Sequence, residues 1–191
     1  MRILQRLTAY IFYFRKMPES WHVSVVESLS RIIKPEIYVE LGIYEAETFN
    51  KVNAKTRIAV DTNPNSFSYI KDNSNVVSIC GDSSSLADYL SNQKYKINLI
   101  FIDADHQVES VISDFENIEP AMAVNGIVLF HDTFPGSKEM ASPLFCGNGF
   151  LAFKTLREKF NNWDFVTIPM HPGLTIGSRK DVLPDWYKKV N

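Results

Sequence analysis

Residues 37–51 read IYVELGIYEAETFNK, an apolar run that reaches an acid at Glu40, passes one glycine at Gly42 and restarts with helix-forming residues. A glycine at that point permits a sharp turn or a close approach of backbone to a ligand, and a helix starting just after it would present free N–H groups. The stretch reads as a strand, a turn and a short helix over Ala46 to Val52, a corner suited to a nucleotide-like cofactor.

The same alternation extends in both directions. WHVSVVESLSRIIK (21–34) has helical apolar spacing before this strand. After it come RIAVDTN (57–63), VVSICGD (76–82), INLIFIDAD (97–105) and GIVLFHD (126–132) as strands. Between them NSFSYIKD (65–72), SSSLADYLSN (83–92, capped by Ser83 or Ser84) and QVESVISDFENI (107–118) read as helices. A longer helix is expected over about Phe150 to Phe160, followed by WDFVTIPM (163–170) and LTIGSRK (174–180) as a closing antiparallel pair around His171-Pro172-Gly173. Nearly continuous apolar strands alternating with amphipathic helices predict a Rossmann-like, doubly wound α/β fold: a mostly parallel seven-stranded sheet, an antiparallel final strand and helices on both faces.

The 191 residues, 45% hydrophobic and 22% charged, suit one substantial core, so residues 18–191 are expected to form a single domain. Residues 1–17 mix Arg2, Arg6, Arg15 and Lys16 with Ile3, Leu4, Leu7, Ile11, Phe12 and Phe14. They predict an amphipathic helix, packed on the domain or on a second subunit of a homodimer, or else lying on a membrane surface; the apolar stretch is too interrupted to span one. A formal net charge of −2 and no basic cluster interleaved with aromatics argue against nucleic acid as partner. Cys80 and Cys146 form no Cys-x-x-Cys pair and read as buried residues of a cytoplasmic protein.

Ligands of open α/β sheets bind beyond the carboxyl ends of the strands. The predicted strands deliver there Glu40 and Gly42; Asp61; Gly81, Asp82 and Ser83; Asp103, Asp105 and His106; and His131 and Asp132. Asp61 follows Glu40 at the spacing where an acid ending a second strand meets a ribose. The irregular TFPGSKEMASPLFCGNG (133–149) reads as a functional lid whose Phe134, Met140 and Phe145, with Phe150 beyond, would wall an acceptor.

VELGIYEAET (39–48) resembles the first motif of class I S-adenosylmethionine-dependent methyltransferases, acid-x-Gly-x-x-x-Gly, with Glu40 and Gly42 matching and Ala46 in place of the second glycine. The resemblance runs on through AVDTNP, CGDSSS, FIDADH and GIVLFHDTFPG over roughly residues 20–180, and is nearest to the small-methyltransferase family that includes the macrocin O-methyltransferase type. It implies a cofactor site built from Glu40, Gly42, Tyr44, Asp61, Gly81, Asp82, Ser83 and Asp103. Gly42 would pass under the methionine portion, Asp61 would hold the ribose, and Asp82 with Ser83 would meet the adenine. The cofactor is a sulfonium cation carrying an ammonium, which an acidic pocket suits better than it suits a pyrophosphate.

The implied reaction is O-methylation of a hydroxyl on a small-molecule or glycan acceptor, with His106, His131 and Asp103 as catalytic candidates. Related O-methyltransferases hold a divalent ion through an acid after the fourth strand and an Asp-Asn or Asp-Asp pair after the fifth; Asp103 and Asp132 match the first two positions, Thr133 departs from the third, and the two carboxylates with water could hold Mg2+. Two other readings stay open on the residues. GDSSS and DADH would suit an SGNH-type hydrolase using Ser83 and His106, and the same fold could bind the cofactor without transferring from it.

Overall fold

The computed structural model describes residues 20–180 and 182; the helix expected over residues 1–17, together with Trp186 and Tyr187, lies outside them. Seven strands form one sheet: β1 (Ile37–Leu41), β2 (Thr56–Asp61), β3 (Val76–Cys80), β4 (Ile97–Ile102), β5 (Met122–His131), β6 (Trp163–Ile168) and β7 (Leu174–Arg179). Their spatial order is β3-β2-β1-β4-β5-β7-β6. The first five run parallel. The final strand β7 slots between β5 and β6 and is antiparallel to both, because the short link after Ile168 can only reverse the chain.

Burial explains the near-continuous apolar strands. Every residue of β1 is buried, and side chains alternate between two cores. Val39, Leu41, Ile100, Ile102, Val128 and Phe130 face one core. Over it lie α2 (Ser83–Ser91), α3 (Val108–Ile118) and α4 (Ala152–Lys159). Phe115 of α3 organises this side, with Phe160, Trp163 and Phe165 at ring-centroid distances of 4.8, 5.1 and 5.4 Å. Tyr38, Ala59, Phe101 and Leu129 face the other core, covered by Trp21 and Val26 of α1 (Trp21–Ile33) and by Phe49, Val52 and Ile70.

Local expectations differ from the structure in a few places. The helices read over 46–52 and 65–72 are 3-10 turns at Phe49–Lys51 and Pro64–Tyr69. Pro64 and the left-handed Ala46 (φ 55°) interrupt the α-helical ladder before it can propagate. Helix α2 is capped by Asp82 rather than by Ser83 or Ser84: its carboxylate accepts from the N–H groups of Ser84 and Ser85. Cys146 is buried, but Cys80 is exposed, since it ends β3, an edge strand of the sheet.

Candidate functional site

Strand order reverses between β1 and β4, and there the ends of the two strands touch. Gly42 has φ 85°, and a Cβ on it would lie 2.1 Å from the Asp103 carbonyl oxygen. The adjoining strand by itself therefore requires a glycine here. Beyond it Tyr44 (φ 44°) and Ala46 (φ 55°) are also left-handed, so the chain winds through tight turns where a helix N-terminus was expected. Ala46 thus keeps the backbone form that a glycine would take, with its methyl fully buried.

Two acids hold that loop. Asp61 Oδ2 accepts from the N–H groups of Ile43 and Tyr44, both at 3.0 Å, and its Oδ1 accepts from Asn63 N–H at 2.8 Å. Glu40 points away from the cleft into the second core, where it accepts from the Tyr38 hydroxyl at 2.5 Å and from the Phe49 N–H. Burial pushes its carboxyl well above the usual range. Glu40 therefore braces the loop backbone at Phe49 and, unlike the other cofactor candidates, does not line the cleft.

A cleft of about 860 Å3 opens at this edge, and among its walls are Gly42, Tyr44, Asp61, Gly81, Asp82, Ser83 and Asp103. Every cofactor candidate but Glu40 is thus brought to one cavity. Its far wall, unexpected from the motifs, is a polar face of α3 with Ser110, Asp114 and Asn117. Asn117 Nδ2 donates to Ser83 Oγ at 2.9 Å, and Ser83 donates to Asp114. Burial, reinforced by the charges of Asp82 and Asp105, pushes the Asp114 carboxyl up to about 6 against the Ser83 hydrogen bond. The spacing of 110, 114 and 117 against apolar 111, 115 and 118 is visible in the sequence, so this wall had a legible signal.

Beside the cleft stands a second group of side chains, joined to it through Asp103. Asp103 Oδ1 lies 2.9 Å from His131 Nδ1, and His131 Nε2 lies 3.1 Å from His22 Nδ1 on α1. Burial opposes charge on His131, yet the Asp103 and Asp132 carboxylates overcome it and hold its pKa above the ordinary value. The reciprocal attraction of His131 keeps Asp103 low despite burial. Burial and the neighbouring His131 charge lower His22 to about 4, so it stays neutral at physiological pH. No local motif marks His22, which is 109 positions from its partner.

On the other side His106 Nε2 sits 3.2 Å from Asp132 Oδ2. Asp103, His106 and Asp132 offer ligand atoms all within 4.8 Å of one another, and Thr133 Oγ1 is buried with no hydrogen-bond partner. Two carboxylates and a histidine so placed, with an orphaned hydroxyl on the residue that follows Asp132, fit a divalent ion. Burial and the Asp132 charge raise the Cys146 thiol to about 12, which makes it a poor nucleophile.

The segment read as a lid is tied down at its far end. Gly149 N–H donates to the His106 carbonyl at 2.7 Å, and Asn148 Oδ1 accepts from Val108 N–H at 2.9 Å, closing the start of α3. A Cβ on Gly147 would sit 2.4 Å from the same His106 carbonyl. Gly147, Asn148 and Gly149 therefore hold His106 and the start of α3 in place. The hydrolase reading loses its basis, because Ser83 is 3% exposed and bonded to Asn117 and Asp114, while His106 pairs with Asp132.

Residues 42–133 match the family model described as a methyltransferase domain. Among solved structures, an O-methyltransferase of Bacillus cereus in complex with S-adenosylhomocysteine superposes with a TM-score of 0.69 at 14% identity, covering 94% of this chain and 89% of that one. A methyltransferase of Podospora anserina bound to the same product gives 0.66 at 17% identity, covering 94% and 96%. An O-methyltransferase of Streptomyces achromogenes involved in tomaymycin synthesis, in complex with S-adenosylmethionine, gives 0.66 at 10% identity over 83% and 79%. No curated protein matches the chain.

Proposed function

We propose that this chain, which has the class I methyltransferase fold and a methyltransferase domain over residues 42–133, transfers the methyl group of S-adenosylmethionine to a hydroxyl of a small-molecule or glycan acceptor. The observation that carries the reading is the position of Asp103. It lines the acidic cleft and also bonds the histidine cluster, so one residue joins a cofactor pocket to an acid–base group. The cleft walls include Asp61, Asp82, Asp105 and Asp114, an acidic, hydrogen-bond-accepting set suited to a ligand that carries sulfonium and ammonium charges.

In this reading Asp61 keeps the loop of residues 43 and 44 closed and faces the ribose, while Asp82 and Ser83 meet the adenine. His106 takes the acceptor proton. Its side chain is 27% exposed and is oriented by Asp132 through Nε2, whereas the His131 side chain is 10% exposed with both ring nitrogens engaged. His131 and His22 set the position of Asp103. Asp103, Asp132 and the Thr133 hydroxyl would hold Mg2+, which when bound would lower the pKa of the acceptor hydroxyl.

Calorimetric titration of S-adenosylmethionine and S-adenosylhomocysteine, with and without Mg2+, tests the reading. Binding should be micromolar and should be lost in Asp61→Ala, and Mg2+ alone should bind wild type but not Asp132→Asn. Failure of wild type to bind either cofactor form at millimolar concentration would sink it.

A further inference from the structure

The edge of the molecule that carries the site also carries large exposed apolar side chains. Phe134, Leu144, Phe145 and Leu151, all in the segment that follows β5, are 39%, 89%, 54% and 56% exposed. Large exposed apolar side chains concentrated in one segment of the chain call for a partner. A shallow apolar groove of about 450 Å3 runs from the same rim along α1, walled by Trp21, Val25, Leu29, Ile32 and Met170. Trp21 ties groove to rim: its Nε1 donates to the His171 carbonyl at 3.0 Å, His171 Nδ1 accepts from Gly136 N–H, and Phe134 N–H donates to the Pro172 carbonyl.

The chain enters α1 at this rim, and the sequence that leads into it has a distinct charge. Residues 1–18 carry Arg2, Arg6, Arg15 and Lys16 and no carboxylate, with Ile3, Leu4, Ile11, Phe12 and Phe14 among them. The other 173 residues carry 16 basic against 22 acidic side chains. A cationic, aromatic-rich stretch joined to an apolar rim matches the two features by which a protein rests on an anionic bilayer.

We propose that the catalytic rim docks on an anionic lipid surface, with residues 1–18 supplying charge attraction and Phe134, Leu144, Phe145 and Leu151 inserting at the interface. Docking so placed turns the mouth of the site towards acceptors anchored in the bilayer. Only that consequence rests on the methyltransferase reading; the docking itself does not.

The test uses the whole chain and flotation with phosphatidylcholine vesicles, with or without about one third phosphatidylglycerol. Binding should require the anionic lipid and weaken with added salt. Each basic side chain lost should weaken it about five-fold, so Arg2→Gln with Arg6→Gln should cost about 25-fold. Leu144→Ser with Phe145→Ser should weaken it about ten-fold at unchanged melting temperature, because both side chains are already exposed. S-adenosylhomocysteine affinity, measured on the same preparations, reports separately on the cofactor site. Equal binding to neutral vesicles, no binding to anionic ones, rim variants that float like wild type, or a dimer that those variants dissociate would each overturn the proposal.

Discussion

Asp114→Asn should stabilise the protein at neutral pH, by an amount that depends on pH. Asp114 is 8% exposed, and burial followed by the charges of Asp82 and Asp105 raises its carboxyl from 3.8 to about 6. A group whose folded pKa exceeds its unfolded one favours the native state most below the unfolded value, and that advantage is lost as pH rises through the folded value. The window is therefore between pH 4 and 6, and above it the ionised carboxylate opposes folding. The rise of 2.2 pKa units at 1.36 kcal/mol per unit sets an upper bound of about 3 kcal/mol, with about half left at pH 5. Loss of the charge-assisted bond from Ser83 offsets part of this, leaving roughly 1–2 kcal/mol, or about 3–6 °C in Tm, at pH 8. Urea melts of both proteins at pH 5, 6.5 and 8 measure it, and the gap should widen with pH. A gap of constant size, or a variant less stable at pH 8, would refute the argument. The same substitution should weaken S-adenosylhomocysteine binding, since Asp114 holds Ser83 at the cleft wall. A carboxylate kept against its own stability is expected where it serves a site.

Two further outcomes follow from the geometry. Gly42→Ala should lower stability by about 2–4 kcal/mol in denaturant melts, because its Cβ would meet the Asp103 carbonyl at 2.1 Å on a left-handed backbone; a loss below about 1 kcal/mol would show the two strand ends to be free to separate. His22→Ala should reduce kcat about ten-fold with KM for S-adenosylmethionine nearly unchanged and the acid limb of the kcat profile displaced, while His22→Gln recovers part of the rate; equal losses in binding and turnover would point to a merely structural role.

Much of the architecture was legible before any coordinates, and for a local reason. Strands such as INLIFI are apolar at nearly every position because the sheet buries both faces, and α3 repeats its apolar residues at 111, 115 and 118. The acids that end the strands could likewise be placed at one edge, since parallel strands share a direction; Asp61, Asp82 and Asp103 do line one cleft. Local propensity misled where backbone form depends on distant neighbours. YEAETFNK looks helical, yet Tyr44 and Ala46 take left-handed conformations under hydrogen bonds that Asp61 and Glu40 make across the loop.

What the sequence determined by itself is the fold class and the edge on which chemistry sits, because hydrophobic period and strand direction are properties of short segments. Tertiary structure alone decided which groups act together. His22 reaches His131 from a helix 109 residues away, Asn148 closes the start of α3, and Glu40 turns into the core. Those relations arise where chain segments distant in sequence are packed against one another, so no local pattern encodes them.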